Sequence, residues 1–382
     1  MNNDQLIKFV QEIIRTPSLS GEEKAVVDKI VQEMKQLGFD KVIVDENGSA
    51  VGIIHGAKPG KTLLLDGHCD HVDVIPSDWI HPPYAAEIAD GCIYGRATAD
   101  MKGSLAAMIY AAARLDRSQL AGSVAVSATV LEEVMEGGSL KSVVDSVKPD
   151  FVIIGEATNF NLKHAGRGRA EVIIETFGKS AHSSSPQAGL CAVHEMYRVI
   201  QSLDNMALPS HPQIGSGLNV LTDIISEPYP GRSVLPNVCR VSYDRRLMPG
   251  ETAESVISEI KALPELAGIQ YSVSILDREE KTYTGKTLSG EKFFPAWIFD
   301  QSHPLVQGAL QGLETMNVQP GLSAYQFCTN GAYSGGTAGI PTIGFGPGGE
   351  TDAHTVDEHI KIADLELAAD CFNAMIMCIL SN

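Results

Sequence analysis

The sequence lacks the features that mark membrane-spanning, secreted and nucleic-acid-binding proteins. It has no uniformly apolar run long enough to cross a bilayer, and its polar start, Met1 to Asp4, is unlike the apolar core of a secretion signal. Lys and Arg number 29 against 47 Asp and Glu, and no segment gathers them into a phosphate-binding face. These absences predict a cytoplasmic protein with no nucleic-acid partner and no membrane partner.

Thiol and serine motifs are also missing. The seven cysteines are scattered and odd in number, and no Cys-x-x-Cys pair occurs, which disfavours a disulfide scaffold. A Gly-x-Ser-x-Gly elbow, which a serine hydrolase of the α/β class would carry, is absent. Most thiols are therefore expected to be reduced, and a serine or cysteine hydrolase is the weaker interpretation.

What the chain does contain is enough apolar material for a packed core. Its 382 residues include 44% hydrophobic and only 20% charged side chains, a balance typical of folded rather than disordered chains. This length exceeds the usual size of one domain. We therefore expect two compact units.

Two amphipathic helical patterns open the chain. The first carries Leu6, Phe9 and Ile13 at helical spacing. The second follows Ser20 to Glu23, which has the form of a helix capping box. Ser20 is therefore the expected N-cap of the second helix.

Hydrophobic periodicity divides the rest of the chain into two styles. In the outer parts, apolar strand patterns alternate with helical patterns, which predicts an open α/β sheet. The strand patterns are Thr62 to Asp66, Ser123 to Leu131, Phe151 to Ile154 and Thr342 to Phe345. In the middle, Ala170 to Thr176 and Val238 to Tyr243 alternate like half-exposed antiparallel strands. The prediction is a metal-binding domain of residues 1–169 and 291–382, interrupted by an α+β insert at 170–290.

Residue types that bind metals stand at the ends of the predicted strands, where open α/β sheets collect their ligands. They are His68 and Asp70, Glu132 and Glu133, Glu156 and His354, together with Asp100 in the loop Gly95 to Gly103. Each residue alone has an ordinary explanation, such as a core histidine or a helix N-cap. Together, however, so many carboxylates and imidazoles would repel and desolvate one another unless cations neutralised them.

The donor types suggest both the metal and the chemistry. Two imidazoles and three carboxylates suit zinc first, with cobalt and manganese as alternatives. Five ligands exceed the usual set of one catalytic zinc, so two divalent ions sharing a carboxylate are expected. Because neighbours point in different directions, one of Glu132 and Glu133 can ligate while the other accepts a proton from water. Asp70 is placed to orient the imidazole of His68.

At this point the chain resembles a known family, the dinuclear zinc hydrolases that include aminoacylase, acetylornithine deacetylase, succinyl-diaminopimelate desuccinylase and carboxypeptidase G. The resemblance spans essentially the whole chain and rests on these motifs: Gly67 to Asp70, Gly95 to Gly103, Leu131 to Glu133, Gly155 to Thr158, Gly178 to Ser183, and Gly346 to His354. It implies a zinc-peptidase-like catalytic domain with an open mixed sheet, and an inserted lid domain that forms a homodimer. Ala97 and Ala157 depart from the family pattern without removing a ligand.

The resemblance also implies how two metal ions divide the ligands. His68, Asp100 and Glu156 would hold one ion. Asp100, Glu133 and His354 would hold the other, so that Asp100 bridges the pair.

Further roles follow from the same resemblance. Glu132 would be the general base, and His182 of the insert would reach a neighbouring subunit's active site and stabilise the oxyanion. An ordinary structural role is an equally good explanation for each of the residues expected to contact substrate, which are Arg167, Asn237, Arg246 and Asn330.

The favoured function is an amidohydrolase that removes the acyl group of a small N-acyl amino acid. A di- or tripeptidase or a carboxypeptidase acting on short peptides is the alternative, and Glu rather than Asp at position 156 resembles the deacylase and carboxypeptidase branch. The contexts of Asn330 and His354 further resemble a subgroup of selenium-metabolism-linked hydrolases. A non-catalytic metal-dependent binding protein is disfavoured because Glu132, Asp70 and every proposed ligand are present together.

Overall fold

The computed structural model describes residues 3–381, which contain eight α-helices. They are α1 (Asn3–Ile14), α2 (Lys24–Gln36), α3 (Gly103–Ala113), α4 (Leu140–Val147), α5 (Ala192–Asp204), α6 (Ala253–Lys261), α7 (Pro304–Thr315) and α8 (Ile362–Leu380). None of these helices has both the length and the apolar character needed to cross a bilayer.

The strands in the same part of the chain range from two to eleven residues. They are β1 (Lys41–Val44), β2 (Ala50–His55), β3 (Lys58–His68), β4 (Glu87–Ala89), β5 (Cys92–Tyr94), β6 (Ala121–Thr129), β7 (Phe151–Ile154), β8 (Leu162–Gly166), β9 (Gly168–Phe177), β10 (Ser210–His211), β11 (Gly215–Ser216), β12 (Leu218–Glu227), β13 (Val238–Leu247), β14 (Tyr271–Ile275), β15 (Asp277–Lys281), β16 (Thr287–Glu291), β17 (Phe293–Phe294), β18 (Trp297–Ile298), β19 (Leu322–Tyr325), β20 (Thr342–Gly344) and β21 (His359–Lys361).

The chain divides into two compact units. The first comprises the residues up to Gly166, Glu279–Leu288, and the residues from Trp297 onwards; the second comprises Arg167–Arg278 and Ser289–Ala296. Glu279–Leu288, which the sequence pattern places in the insert, belongs to the first unit because its side chains bind the turn after β1. There the Tyr283 hydroxyl donates to the Gly48 carbonyl oxygen at 2.8 Å.

A nine-stranded sheet forms the centre of the first unit. Its order is β1, β2, β6, β3, β7, β20, β8 and β18, with β19 paired to β8. β3 pairs in parallel with β6 and β7, and β20 pairs in parallel with β7, whereas β1, β2 and β18 pair antiparallel to their neighbours. The predicted open α/β fold with a mixed sheet is confirmed. Because β3, β6, β7 and β20 run in one direction, their carboxyl ends meet at one edge.

Both faces of this sheet are covered, which explains why its central strands are continuous apolar runs. Leu63 and Leu65 of β3 lie in one core together with residues of α1, α2, α3 and α8. Leu64, between them, faces the other way into a second core with Val143 of α4. Burial of both faces fixes the end of β3, from which the functional residues project.

The start of α2 differs from the sequence-based prediction. The helix begins at Lys24 with Glu23 as its N-cap residue, and no side chain caps it. Ser20, the expected N-cap, instead donates its hydroxyl to Asp70 Oδ2 at 2.7 Å. The capping-box prediction is wrong because the buried carboxylate of Asp70 binds that hydroxyl.

The second unit is an antiparallel sheet with helices packed against it. The strand order is β12, β13, β9 and β14, with β17 paired to β9. Met196 and Val199 of α5 and Val256 and Ile260 of α6 share a core with apolar residues of these strands. In β13 buried and more exposed residues alternate, as the period of two in the sequence predicts.

Gly122, where β6 approaches β3 in the first unit, provides a test of the packing between these two strands. Its φ is +91°, and a Cβ there would lie 1.9 Å from the Lys61 carbonyl oxygen, whereas Gly91, with φ of +76°, has open space around it. We expect Gly91→Ala to cost about 1 kcal/mol of backbone strain and Gly122→Ala about 2 kcal/mol more, because the two strands must separate. Urea denaturation measures both losses. Equal losses would show that β3 and β6 do not approach this closely.

Candidate metal centre

The predicted metal-binding residues of the first unit gather at the carboxyl edge of its sheet. His68 is the last residue of β3, Glu132 and Glu133 lie in the turn after β6, and Glu156 follows β7. Asp100 comes from the segment just before α3, and His354 from the loop between β20 and β21. The parallel direction of the central strands is what brings these separate pieces of chain together.

Two sets of contacts meet at Asp100. His68 Nε2 lies 3.0 Å from Asp100 Oδ1 and 3.4 Å from Glu156 Oε1. His354 Nε2 lies 3.1 Å from Asp100 Oδ2 and 3.1 Å from Glu133 Oε1. The two oxygens of Asp100 therefore face different imidazoles, each of which has a second carboxylate beside it.

Glu132 lies close to the same cluster. His68, Glu132 and Glu156 each offer one ligand atom, and these three atoms all lie within 4.8 Å of one another. The same is true of His68, Asp100 and Glu133. Within residues 3–381, Glu132 Oε1 has no hydrogen-bond partner although it is buried.

Burial and repulsion raise the pKa values of the three glutamates, whereas for Asp100 hydrogen bonds with His354 and His68 outweigh burial and lower the pKa. Burial and the charge of Asp100 raise the pKa of Glu156 to about 7. Burial, with added repulsion from Glu156 and Glu133, raises the pKa of Glu132 well above its ordinary value. Ionised glutamates in this position therefore cost free energy unless a cation lies beside them.

The pKa values of the two imidazoles are also raised, which favours their positively charged forms. Burial lowers the pKa of His68, but the negative charges of Glu156 and Asp100 outweigh it and hold that pKa well above its ordinary value. Hydrogen bonds with Asp100 and Glu133 raise the pKa of His354 to about 10. The site thus demands positive charge, and its donor set of imidazole nitrogens and carboxylate oxygens fits divalent zinc, cobalt or manganese.

Asp70 makes two kinds of contact. Its peptide oxygen lies 3.1 Å from His68 Nδ1, whereas its carboxylate is 3.6 Å from that nitrogen. The carboxylate instead accepts the backbone amides of Glu132 at 3.1 Å and Glu133 at 3.2 Å. Asp70 therefore positions both the imidazole and the adjacent glutamates, and only the first of these roles follows from the sequence.

Sequence reasoning missed several residues, buried or partly buried, that hold the ligand loops. Ser20 binds Asp70, and Glu23 Oε1 accepts the backbone amide of Leu131 at 3.1 Å. Glu358, which is 1% exposed, binds the segment that carries Asp100. The only signal in the sequence was the presence of acidic residues close to the motifs, and these had an ordinary explanation as helix-terminal or surface groups.

Asn330 is the one proposed substrate contact that lies in the first unit. It is 3% exposed, and its Nδ2 donates to Asp66 Oδ2 at 2.8 Å and to Thr129 Oγ1 at 3.0 Å. Its Oδ1 accepts the backbone amide of Gly137 at 2.6 Å. These bonds engage Asn330 within the protein, which favours the structural role over substrate contact.

The remaining predicted residues belong to the second unit. His182 is exposed, and its Nδ1 lies 2.8 Å from Ser184 Oγ. Asn237 is exposed just before β13, and Arg246 near the end of β13 pairs with Asp244 at 2.9 Å. Arg167 is partly buried and donates to the Ile214 carbonyl oxygen at 3.3 Å.

Comparison with known proteins identifies the family. Residues 64–377 match Peptidase family M20/M25/M40. The chain is 33% identical over 379 residues to the uncharacterized protein YgeY of Escherichia coli (strain K12), a similarity that covers 97% of this chain and 93% of YgeY. The chain belongs to peptidase family M20/M25/M40.

A further relative and a solved structure agree with this result. The chain is 25% identical over 377 residues to succinyl-diaminopimelate desuccinylase 2 of Ruegeria sp. (strain TM1040), covering 94% of this chain and 91% of that enzyme. The crystal structure of aminopeptidase PepT from Bacillus cereus ATCC 10987 has the same fold, with a TM-score of 0.78, 19% identity and 99% of each chain covered. The protein is an M20 metallohydrolase that acts on amide bonds, and the predicted family is confirmed. Membership of the selenium-metabolism-linked subgroup stays a prediction.

Removal of divalent cations should destabilise the first unit, because its buried carboxylates then lack compensating charge. We expect zinc at about a hundredfold excess over its dissociation constant to raise the free energy of unfolding by about 2.7 kcal/mol. Thermal unfolding with zinc and with chelator measures the difference. His68→Ala should reduce it, because the first of the two expected ions loses a ligand, whereas replacement of the exposed His55 by Ala should leave it unchanged. Identical melting temperatures with zinc and chelator would contradict a metal site here.

Proposed function

We propose that the protein removes the acyl group from a small N-acylated amino acid with the help of two divalent metal ions. The observation that carries this proposal is the position of Asp100 between two histidines, 3.0 Å from His68 and 3.1 Å from His354. One ion on His68, Asp100 and Glu156, and a second on Asp100, Glu133 and His354, would use all of these contacts. Zinc is the first choice for this donor set, with cobalt and manganese as alternatives.

Glu132 is the general base in this proposal. Divalent ions, when bound, polarise the amide carbonyl and make water more acidic. Glu132 Oε1, which has no hydrogen-bond partner in the described part of the chain, takes the proton from the attacking water and later delivers it to the leaving nitrogen. Asp70 holds the Glu132 backbone amide at 3.1 Å and its peptide oxygen orients His68, so one residue aligns the base with a ligand.

Two arginines of the second unit support a substrate that carries a carboxylate. Burial, together with the charge of Arg246, lowers the pKa of Arg167. Arg246 is paired with Asp244, whereas Arg167 has no acidic partner among residues 3–381. A guanidinium without an acidic partner in the protein favours a bound carboxylate, because the two groups form two parallel charge-assisted hydrogen bonds. Asn237 is proposed as a further contact to the substrate.

A deacylase is favoured over a peptidase on two grounds. Glu156 resembles the deacylase and carboxypeptidase branch of the family, and a desuccinylase is among the relatives that align over nearly the whole chain. A di- or tripeptidase or carboxypeptidase is the alternative, since short peptides offer the same amide and carboxylate. A metal-dependent binding protein without catalysis is the alternative from another class.

Glu132→Gln tests the proposed reaction. The amide cannot accept the proton, so turnover should fall by about 10²- to 10⁴-fold, while the metal content stays that of the wild type. Elemental analysis gives the metal content, and hydrolysis of N-acetyl, N-succinyl and N-formyl amino acids and of dipeptides gives turnover. Glu136→Gln, which removes a buried charge that also acts on Glu132, should keep its turnover.

Each outcome of this panel favours one of the three hypotheses. Cleavage of an N-acyl amino acid supports the deacylase, and cleavage of dipeptides alone supports the peptidase. Bound metal without cleavage of any compound supports the binding protein. Full turnover by Glu132→Gln would contradict its role as the base.

We also propose that the second unit forms a homodimer through strand β12. This strand is at the edge of its sheet, and it exposes Leu218, Val220, Ile224 and Ile225 to between 45% and 52%. A long apolar edge strand pairs readily with another chain unless it is protected. A second copy would cover this edge and bring the exposed His182 to the partner's active site, where it would stabilise the oxyanion.

Lysine at the exposed edge should prevent this pairing, because a buried charge without a partner is costly. We expect wild-type protein to sediment as a dimer and the double variant Ile224→Lys, Ile225→Lys to sediment as a monomer in analytical ultracentrifugation. Ile80→Lys, at an 82% exposed position of the first unit, is the control and should remain dimeric. A monomeric wild type, or a dimeric double variant, would contradict the β12 interface.

A cytoplasmic location is proposed as well. All seven cysteines are free thiols, and five of them are buried. Free thiols in this number are typical of proteins kept in a reducing compartment.

A further inference from the structure

A buried carboxylate outside the proposed ligand set lies next to the metal centre. Glu358 follows His354 on the same loop, and it is 1% exposed. Its Oε2 accepts Arg96 Nη1 at 2.6 Å and the backbone amide of Ala97 at 3.2 Å. Its Oε1 accepts the backbone amides of Ala99 at 2.8 Å and of Asp100 at 3.0 Å.

All four donors come from one short stretch, residues 96–100. A buried carboxylate is costly unless its oxygens are satisfied, and here each oxygen accepts two hydrogen bonds. Ala97, inside the stretch, has a positive φ of 70°, a conformation that a residue with a side chain rarely adopts without support from its surroundings. The four hydrogen bonds to Glu358 provide that support.

The ion pair with Arg96, at 2.6 Å, offsets part of the cost of burying this carboxylate. Its effect on stability is small, because burying both charges costs about as much as their attraction returns. Its specific effect is on geometry, since it fixes Glu358 at the point where the amides of Ala99 and Asp100 converge. Arg96 therefore binds Glu358 and leaves the proposed metal ligands free of a competing cation.

The same loop carries His354 and is held at a second point. Asp357 Oδ1 accepts the backbone amides of Ile80 and His81, each at 2.9 Å. Glu358 thus connects the loop that bears His354 to the stretch that bears Asp100, whose Oδ2 lies 3.1 Å from His354 Nε2. A shift of Glu358 would change the distance between these two groups.

We propose that Glu358 is a positioning residue that fixes Asp100 relative to His354, so that both reach one metal ion. The proposal rests on the two-ion site of the proposed function. Glu358 touches neither the ion nor the substrate, and it acts through the backbone of Asp100. Loss of such an outer contact lowers metal affinity by about 10- to 100-fold in metalloproteins generally.

Glu358→Gln is the informative variant, because an amide has one accepting oxygen and one donating nitrogen. One of the two pairs of donors from residues 96–100 would then face an NH₂ group, although the size of the side chain is unchanged. Asp357→Asn is the matched control. It also removes one negative charge from the loop, but its Oδ1 can still accept Ile80 and His81.

Cobalt titration of metal-free protein, followed by absorbance, measures the number of ions, their affinities and their coordination geometry. We expect Glu358→Gln to lose about 10- to 100-fold in affinity for at least one of the two ions, with an altered cobalt spectrum. Asp357→Asn should match the wild type. Circular dichroism of the metal-free proteins verifies folding, and Glu358→Asp, which keeps the charge but shortens the reach, replaces Glu358→Gln if that variant does not fold.

The outcomes separate this proposal from the function on which it rests. Wild-type affinities and spectrum in a folded Glu358 variant would overturn the positioning role alone. An equal loss in Asp357→Asn would also overturn it, because the removed charge would then account for the effect. Failure of the wild type to bind any cobalt would overturn the two-ion site and this proposal together.

Discussion

Repulsion among buried carboxylates is the constraint on which the rest of the site depends. Glu132 and Glu156 are 7% and 4% exposed, and burial together with repulsion from neighbouring carboxylates raises both of their pKa values. Charges placed in this way cost free energy unless opposite charge lies between them. In the chain by itself the protons of His68 and His354 supply part of that charge, which is why the pKa values of both imidazoles are raised. Divalent ions bind such a site by replacing those protons.

Three residues of the metal site, Glu132, Glu133 and Asp100, are held in place through their own backbone amides. Asp70 accepts the amides of Glu132 and Glu133, and Glu358 accepts that of Asp100. Amides carry no net charge, so they fix the positions of these residues without neutralising the oxygens that would bind a metal ion. A lysine or arginine paired directly with the ligands would compete with that ion. The amides therefore hold the site in a fixed geometry while its carboxylates keep their affinity for positive ions.

Features that depend on residues close together in the chain could be predicted from the sequence, whereas contacts between distant residues could not. The strands that lead to His68, Glu132 and Glu156 are local apolar runs, so their ends and the cluster of candidate metal ligands at one sheet edge could be predicted. Ser20 and Glu358 could not be assigned, because their partners Asp70 and Asp100 are 50 and 258 positions away. For Ser20 the local pattern was misleading. A hydroxyl just before a helix commonly caps that helix, but the Ser20 hydroxyl binds Asp70 instead.

The two sides of the site differ in their access to solvent, and this difference bears on the proposed reaction. The side chain of His354 is 50% exposed, whereas that of His68 is 1% exposed. Glu132 stands with His68 and Glu156 on the buried side, where the low dielectric constant strengthens every electrostatic interaction. The burial that makes ionised Glu132 costly also increases its affinity for a proton. A general base needs that affinity to take a proton from water, so the same burial that requires compensating charge also suits Glu132 to its proposed role.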